Sequence, residues 1–87
     1  MIPNQGKVLI DFYADWCGPC KAMNGILSRL QTETGVELIK INVDQNRELA
    51  QKYGVRGIPC FVAVNDGVET RRAVGMQTLQ QLKDLTI

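Results

Sequence analysis

The chain contains no histidine, and this absence excludes several kinds of chemistry at once. There can be no Ser-His or Cys-His nucleophile pair, no imidazole general base and no histidine ligand for zinc. Any reaction that the chain catalyses must therefore rely on Cys, Asp, Lys or Tyr side chains, or on the backbone.

The chain also lacks an excess of either charge and any long apolar run. Its 10 basic and 9 acidic side chains give a net charge of +1, without the basic excess that is usual in nucleic-acid binders. No apolar run approaches the ~20 residues that cross a bilayer, and residues 1–6 carry no secretory-signal pattern. With 87 residues, 45% of them hydrophobic, we expect one domain over residues 1–87 that binds neither nucleic acid nor membrane.

Cysteine is scarce, and its spacing is informative. The three cysteines are Cys17, Cys20 and Cys60. An odd number does not make a paired disulfide framework, and the absence of a signal indicates a reducing, cytoplasmic location. In that compartment a C-x-x-C pair is typical of a redox-active site or a metal site.

Strand and helix patterns alternate along the chain. Near-continuous apolar runs predict strands over 7–13, 36–43 and 60–64, and the Asn65-Asp66-Gly67 turn predicts an antiparallel partner over 68–74. One helix follows Pro19 and ends at Gly35, a short one ends at Gly54, and a third opens with a Thr78–Gln81 capping box. The predicted fold class is α/β, in the order βαβαββα, with a four-stranded mixed sheet and helices on both faces.

The segment Trp16-Cys17-Gly18-Pro19-Cys20 lies where a buried strand leads into a helix. Backbone N–H groups at a helix start favour a thiolate and lower its pKa. We predict Cys17 to be the exposed nucleophile and Cys20 the buried resolving thiol. Two alternatives are a pair of core thiols and a metal site, either zinc or an iron–sulfur cluster shared between two chains.

Asp11 is unexpected within a strand that should be covered on both sides. Burial should raise the pKa of this carboxyl, so it could act as the general base that deprotonates Cys20. The alternative is a structural ion pair with Lys40 on the neighbouring strand. A Lys40 ammonium within reach would oppose the rise in the pKa of Asp11 by favouring the charged form, which makes Lys40 a further catalytic candidate. Alternatively, Lys40 extends its ammonium into water.

Gly57-Ile58-Pro59 precedes the third apolar strand. A cis Ile58–Pro59 bond there would leave Ile58 backbone groups free to hold an extended peptide. X-Pro bonds are cis in only ~5% of cases, so the local sequence does not establish the isomer.

Taken together, these segments resemble the thioredoxin family. VLIDFYADWCGPCK resembles the family's active-site signature almost position by position, and the similarity continues through KINVDQN, KYGVRGIP, the NDG hairpin and Val74-Gly75. The resemblance implies that Cys17 and Cys20 are the redox pair, with Asp11 below them, Lys40 beside Asp11 and a cis Pro59 facing the disulfide. It also implies an apolar substrate groove formed by Trp16, Gly18, Pro19, Gly57, Ile58, Pro59, Val74 and Gly75.

The same resemblance implies a protein-disulfide reductase that carries electrons as a monomer, without bound cofactor or metal. Its partners would be disulfide-containing proteins and a separate flavin- and NADPH-dependent thioredoxin reductase, or another thiol donor. The alternatives are glutaredoxin-like or oxidising disulfide exchange, which the CGPC sequence disfavours, and a binding module whose cysteines are dispensable.

The sequence departs from the family pattern at four places, one of which, Tyr13 in place of a common second tryptophan, is a modest change. The usual first strand and most of the first helix are missing, which predicts a less protected sheet edge, with lower stability or a partner over that edge. Gly25 stands where a helix-kinking proline is usual, which predicts a straighter but looser helix. Cys60 stands where a small hydroxyl residue is usual. It could simply fill that space, or it could be a third thiol close enough to Cys17 to be glutathionylated or trapped in disulfides.

Overall fold

The protein is described by a computed structural model that covers residues 2–87. The elements are β1 (Lys7–Tyr13), α1 (Gly18–Ala22), α2 (Asn24–Thr34), β2 (Glu37–Asn42), α3 (Arg47–Lys52), β3 (Cys60–Asn65), β4 (Val68–Val74) and α4 (Leu79–Leu85). Within residues 2–87 one sheet has the strand order β2-β1-β3-β4, in which β1 and β2 are parallel and the other pairs antiparallel. This arrangement confirms the predicted fold class.

Alternation along the central strand β1 creates two apolar cores. Ile10 and Phe12 point to one face, where they pack with residues of α3. Leu9 points to the other face and packs with Leu27 of α2 and Leu82 of α4. Because side chains of a strand alternate between faces, Asp11 lies on the same face as Leu9. That placement puts its carboxyl on the α1–α2 side of the sheet.

Three local signals are confirmed by the backbone. Asp66 and Gly67 have φ values of 51° and 83°, as a type I′ hairpin turn requires. Thr78 and Gln81 make both hydrogen bonds of a capping box at the start of α4. Gly35 ends α2 in the left-handed region, at φ 70°.

The first helix differs from the prediction, because it is divided at Met23. The Met23 N–H donates to the Cys20 carbonyl at 3.2 Å instead of the carbonyl four residues back, and the regular pattern resumes with Leu27 N–H on the Met23 carbonyl. The prediction of one continuous helix from Pro19 to Gly35 is therefore wrong. At Met23 one hydrogen bond joins residues three apart, as in a 3₁₀ turn. This turn separates α1, the helix of the paired cysteines, from α2.

The remaining differences are small. β2 is one residue shorter at each end than predicted, and β3 extends one residue further. Among residues 2–87, β2 pairs only with β1, so its other side is an edge of the sheet. No helix in that range is long and apolar enough to span a membrane.

Candidate active site

The paired cysteines lie at the junction of β1 and α1. Cys17 is the N-cap residue of α1, and its Sγ accepts a hydrogen bond from the Cys20 N–H at 3.2 Å. Pro19 occupies the first turn, where a missing N–H costs little. The two Cα atoms are 5.2 Å apart, and the side chains form a disulfide. The turn that starts the helix therefore brings the two sulfurs together.

The predicted difference in exposure between the two cysteines is wrong in this oxidised form. Cys17 and Cys20 are each 4% exposed, because Ala14 shares their cluster and Tyr13 and Ile58 pack against it. The exposed neighbours are Trp16, Gly18 and Pro19.

Asp11 is buried in β1, on the face of the sheet that α2 and α4 cover. The residue is 1% exposed, and among residues 2–87 no donor reaches its Oδ1. Loss of water around the carboxyl raises the pKa of Asp11 from 3.8 to about 6, and the positive charge of Lys40 partly opposes that rise. The raised pKa predicted from the sequence is confirmed.

Lys40 is the register partner of Asp11 on β2, but the two residues form no ion pair. The Lys40 ammonium instead donates to Asn24 Oδ1 at 2.8 Å and lies 4.9 Å from the centre of the Tyr13 ring. The residue is exposed, but these two contacts hold its ammonium, which does not extend freely into water. Sequence reasoning did not identify Asn24, because nothing local marks it as the acceptor.

The segments around Pro59 and Val74 meet beside the disulfide. The Ile58–Pro59 bond is cis, as the family resemblance implies, and the Gly75 N–H donates to the Pro59 carbonyl at 2.8 Å. A Cβ at Gly57 would lie 3.0 Å from Val74 Cγ1, so only glycine fits there without displacement. Val74 is itself 56% exposed. The structure thus joins residues 57–59 to residues 74–75, but the Pro59 side chain is fully buried, so its predicted place on the groove surface is wrong.

Trp16 reaches toward the same surface from the other side. Its ring is 70% exposed, yet its Nε1–H donates to Asp44 Oδ2 at 2.9 Å. Asp44 is in turn held by its own N–H, which donates to Asn42 Oδ1 at 2.9 Å. Trp16 and Ile58 line one depression of about 170 Å³. Sequence reasoning missed this contact, because nothing in the local sequence marks Asp44 as the partner of Trp16.

Cys60 is separate from the redox pair. It is 1% exposed and belongs to the core that contains Phe12 and Val62. Burial raises the pKa of its thiol, and this favours the unreactive protonated form. These facts support the simple space-filling role. No three Cys, Asp or Glu side chains of residues 2–87 form a group that could hold a metal ion.

Known proteins match this chain in sequence and in structure. The family model described as thioredoxin matches residues 1–86. The thioredoxin of Bacillus subtilis is 42% identical over 84 residues, which cover 94% of this chain and 81% of the relative. The thioredoxin of Chlamydia caviae is 44% identical over 78 residues, 88% of this chain and 76% of the relative.

Solved structures agree with these matches. A mutant thioredoxin from Halobacterium salinarum has a TM-score of 0.90 and 44% identity, over 95% of this chain and 74% of that one. Fasciola hepatica thioredoxin has a TM-score of 0.86 and 39% identity, over 95% and 82% of the two chains. With a disulfide formed at the active-site position, the chain belongs to the thioredoxin family and is a thiol–disulfide oxidoreductase with the role of a protein-disulfide reductase.

Proposed function

We propose that Cys17 and Cys20 perform the exchange in two steps, and the disulfide at the start of α1 is the observation that carries this proposal. In the reduced protein, the Cys17 thiolate attacks a substrate disulfide, forms a mixed disulfide and releases one substrate thiolate. Cys20 then attacks Cys17 Sγ, which releases the second substrate thiolate and restores the Cys17–Cys20 bond. In the oxidised form the Cys17 sulfur accepts the Cys20 N–H, and the same donor would stabilise a thiolate on Cys17.

Asp11 is the proposed general base for the second step. Cys20 must lose its proton before it attacks, and Asp11 lies buried on the same side of the sheet. Because burial raises its pKa to about 6, the carboxyl is mostly ionised at neutral pH, yet it is a much stronger base than an exposed aspartate. Its Oδ1 has no other partner that would compete for the proton. A single water could connect Asp11 with Cys20.

The exposed surface around the disulfide is the proposed substrate groove. Trp16 and Val74 flank it, with Ile58 between them and Gly18, Pro19, Gly57 and Gly75 along its edges, while the Pro59 side chain is fully buried. The Pro59 carbonyl is already bonded to the Gly75 N–H, so Ile58 supplies the free backbone groups for an extended peptide. Such contacts bind the backbone of the substrate and not its side chains, so they suit a reductant that acts on many proteins.

Electrons for the next cycle would come from NADPH through a separate flavin-dependent thioredoxin reductase, or from another thiol donor. In this proposal residues 1–87 act as one domain and as a monomer in the cytoplasm. The domain itself binds no cofactor, since the disulfide carries the two electrons.

The two steps can be separated by stopped-flow kinetics on Asp11→Asn, with Trp16 fluorescence as the signal. The variant should form the mixed disulfide at nearly the wild-type rate and resolve it more slowly at pH 7. Asp66→Asn is the matched control, because it changes an exposed carboxyl in the distant hairpin turn. Equal slowing of both steps in Asp11→Asn would show that Asp11 is not the base for Cys20.

The direction of the reaction is tested by the midpoint potential of the Cys17–Cys20 couple. A value near −270 mV, the figure generally given for thioredoxin, is expected for a reductant supplied by a reductase. A value above roughly −220 mV would instead indicate glutathione-linked or oxidising exchange.

A further inference from the structure

The side chain of Lys40 is held by two contacts that the reaction above does not use. Its ammonium donates to Asn24 Oδ1 at 2.8 Å and lies over the Tyr13 ring at 4.9 Å from the centroid. An exposed lysine ordinarily keeps its charged end free in water. Here a hydrogen bond and a cation–π contact restrict it together.

These contacts place the ammonium at a cavity that adjoins the reacting thiol. The cavity has a volume of about 210 Å³, and its lining includes Tyr13, Cys20, Asn24 and Lys40. Cys20 is the thiol that must lose a proton in the resolving step. Asp11 is the register partner of Lys40 on the adjacent strand. The cavity thus brings the Lys40 ammonium to the Cys20 side chain, while Asp11 lies outside its lining.

We propose that Asn24 is a positioning residue, which holds the Lys40 ammonium at this cavity near the Asp11 carboxyl and so sets the pH at which Asp11 changes charge. The inference rests on the proposed function only in its last step, where Asp11 accepts the proton of Cys20. Among residues 2–87 the Asn24 side chain makes no other hydrogen bond. Its amide therefore has no competing structural partner.

The sign of the effect follows from the charges around Asp11. A cation nearby favours the ionised carboxyl, and Lys40 opposes the effect of burial on the pKa of Asp11. Without Asn24 the ammonium would spend more time in solvent, and its attraction for the carboxylate would fall with distance. The titration of Asp11 would then move to higher pH. The other groups that could influence it are the Cys60 thiol from β3 and, at the cavity, Asp15 and Lys21.

The test is a set of four variants, studied by carboxyl ¹³C NMR titration of Asp11 in the oxidised protein. Asn24→Ala should raise the midpoint of the Asp11 titration by roughly 0.2–0.5 pH units, which is the size expected for an interaction between charges at a solvent-exposed site. Lys40→Met should raise it at least as far, and the double variant no further than Lys40→Met alone. Ser28→Ala, an exposed polar-to-alanine change one turn along α2, should leave it unchanged. Because alanine favours helix, none of the α2 changes should unfold the protein.

The same variants are then compared in the pH profile of the resolving step, whose acidic limb should move with the NMR midpoint. An unchanged midpoint in Asn24→Ala alongside a raised midpoint in Lys40→Met overturns the inference and leaves the proposed role of Asp11 intact. Additive shifts in the double variant also overturn it, since Asn24 would then act without Lys40. If the midpoints move as expected while every rate profile stays fixed, the positioning is supported and Asp11 is not the base.

Discussion

Relative to the wild-type protein, Asp11→Asn should gain about 2.5 kcal/mol of stability between pH 4 and pH 7. Burial raises the pKa of Asp11 from 3.8 to about 6, so the folded protein binds a proton at this site more tightly than the unfolded chain. Its contribution to stability is full well below the unfolded pKa of 3.8 and is lost as the pH rises through about 6. The difference in pKa, at about 1.36 kcal/mol per pH unit, corresponds to about 3 kcal/mol in all, of which about 2.5 kcal/mol falls between pH 4 and pH 7. Asparagine is neutral throughout and shows no such loss.

Urea unfolding of both oxidised proteins from pH 4 to pH 8 measures this change. With an m-value of about 1–1.5 kcal/mol/M, the difference between the two midpoints should grow by about 2 M from pH 4 to pH 7 and then stay constant. Any fixed cost of burying the amide cancels in this comparison.

The pH-dependent contributions of the other carboxyls to stability also cancel when the two proteins are compared. Hydrogen bonds from Lys83 to Glu33 and from Arg72 to Glu69 lower the pKa values of these two glutamates. Their contribution is present at neutral pH and lost on acidification, and it is common to both proteins. A difference in midpoint that does not change with pH would refute the reasoning, because it would mean that Asp11 titrates no differently in the fold than in the unfolded chain.

Three further results are expected. Gly25→Ala should stabilise the protein by about 0.5–1 kcal/mol in thermal melts, because an added methyl group meets open space in α2; a lower melting temperature would show that the break at Met23 needs the glycine. A thiol reagent should detect no reactive thiol in the folded oxidised protein and one thiol, that of Cys60, after unfolding. A reaction in the folded state would contradict the burial of this thiol. The Cys60→Ser variant should have unchanged turnover. Thr78→Ala should lower the free energy of unfolding by about 1 kcal/mol, since it removes the cap of α4; an unchanged urea midpoint would mean that the capping box contributes nothing.

Features set by neighbouring residues were predictable from the sequence. The Asp66-Gly67 turn requires two positive φ values, and the Thr78–Gln81 box satisfies the first N–H groups of its own helix. The Cys17–Cys20 pair is likewise local, because one helical turn determines the spacing of the two sulfurs. The buried environment of Asp11 could be predicted because uninterrupted apolar residues surround it.

Features set by tertiary contacts were not predictable in the same way. The division of the first helix at Met23 could not be predicted, because neither proline nor glycine stands at the break. Cys17 is as buried as Cys20 because Ile58, distant in sequence, packs against the pair. Asn24 accepts the hydrogen bond of Lys40, and Asp44 accepts that of Trp16. Both contacts depend on how elements distant in sequence pack together. The cis isomer of the Ile58–Pro59 bond was expected only from the family resemblance, because the local sequence does not establish which isomer forms.

The central claim is that Cys17 attacks and Cys20 resolves, and a trapping experiment tests it most directly. The reduced Cys20→Ser variant is mixed with a disulfide-containing protein, and the products are identified by mass spectrometry after alkylation. The account predicts a stable mixed disulfide through Cys17, while wild type releases reduced substrate and Cys17→Ser gives no adduct. A mixed disulfide through Cys60, or an adduct of equal yield in Cys17→Ser, would contradict it.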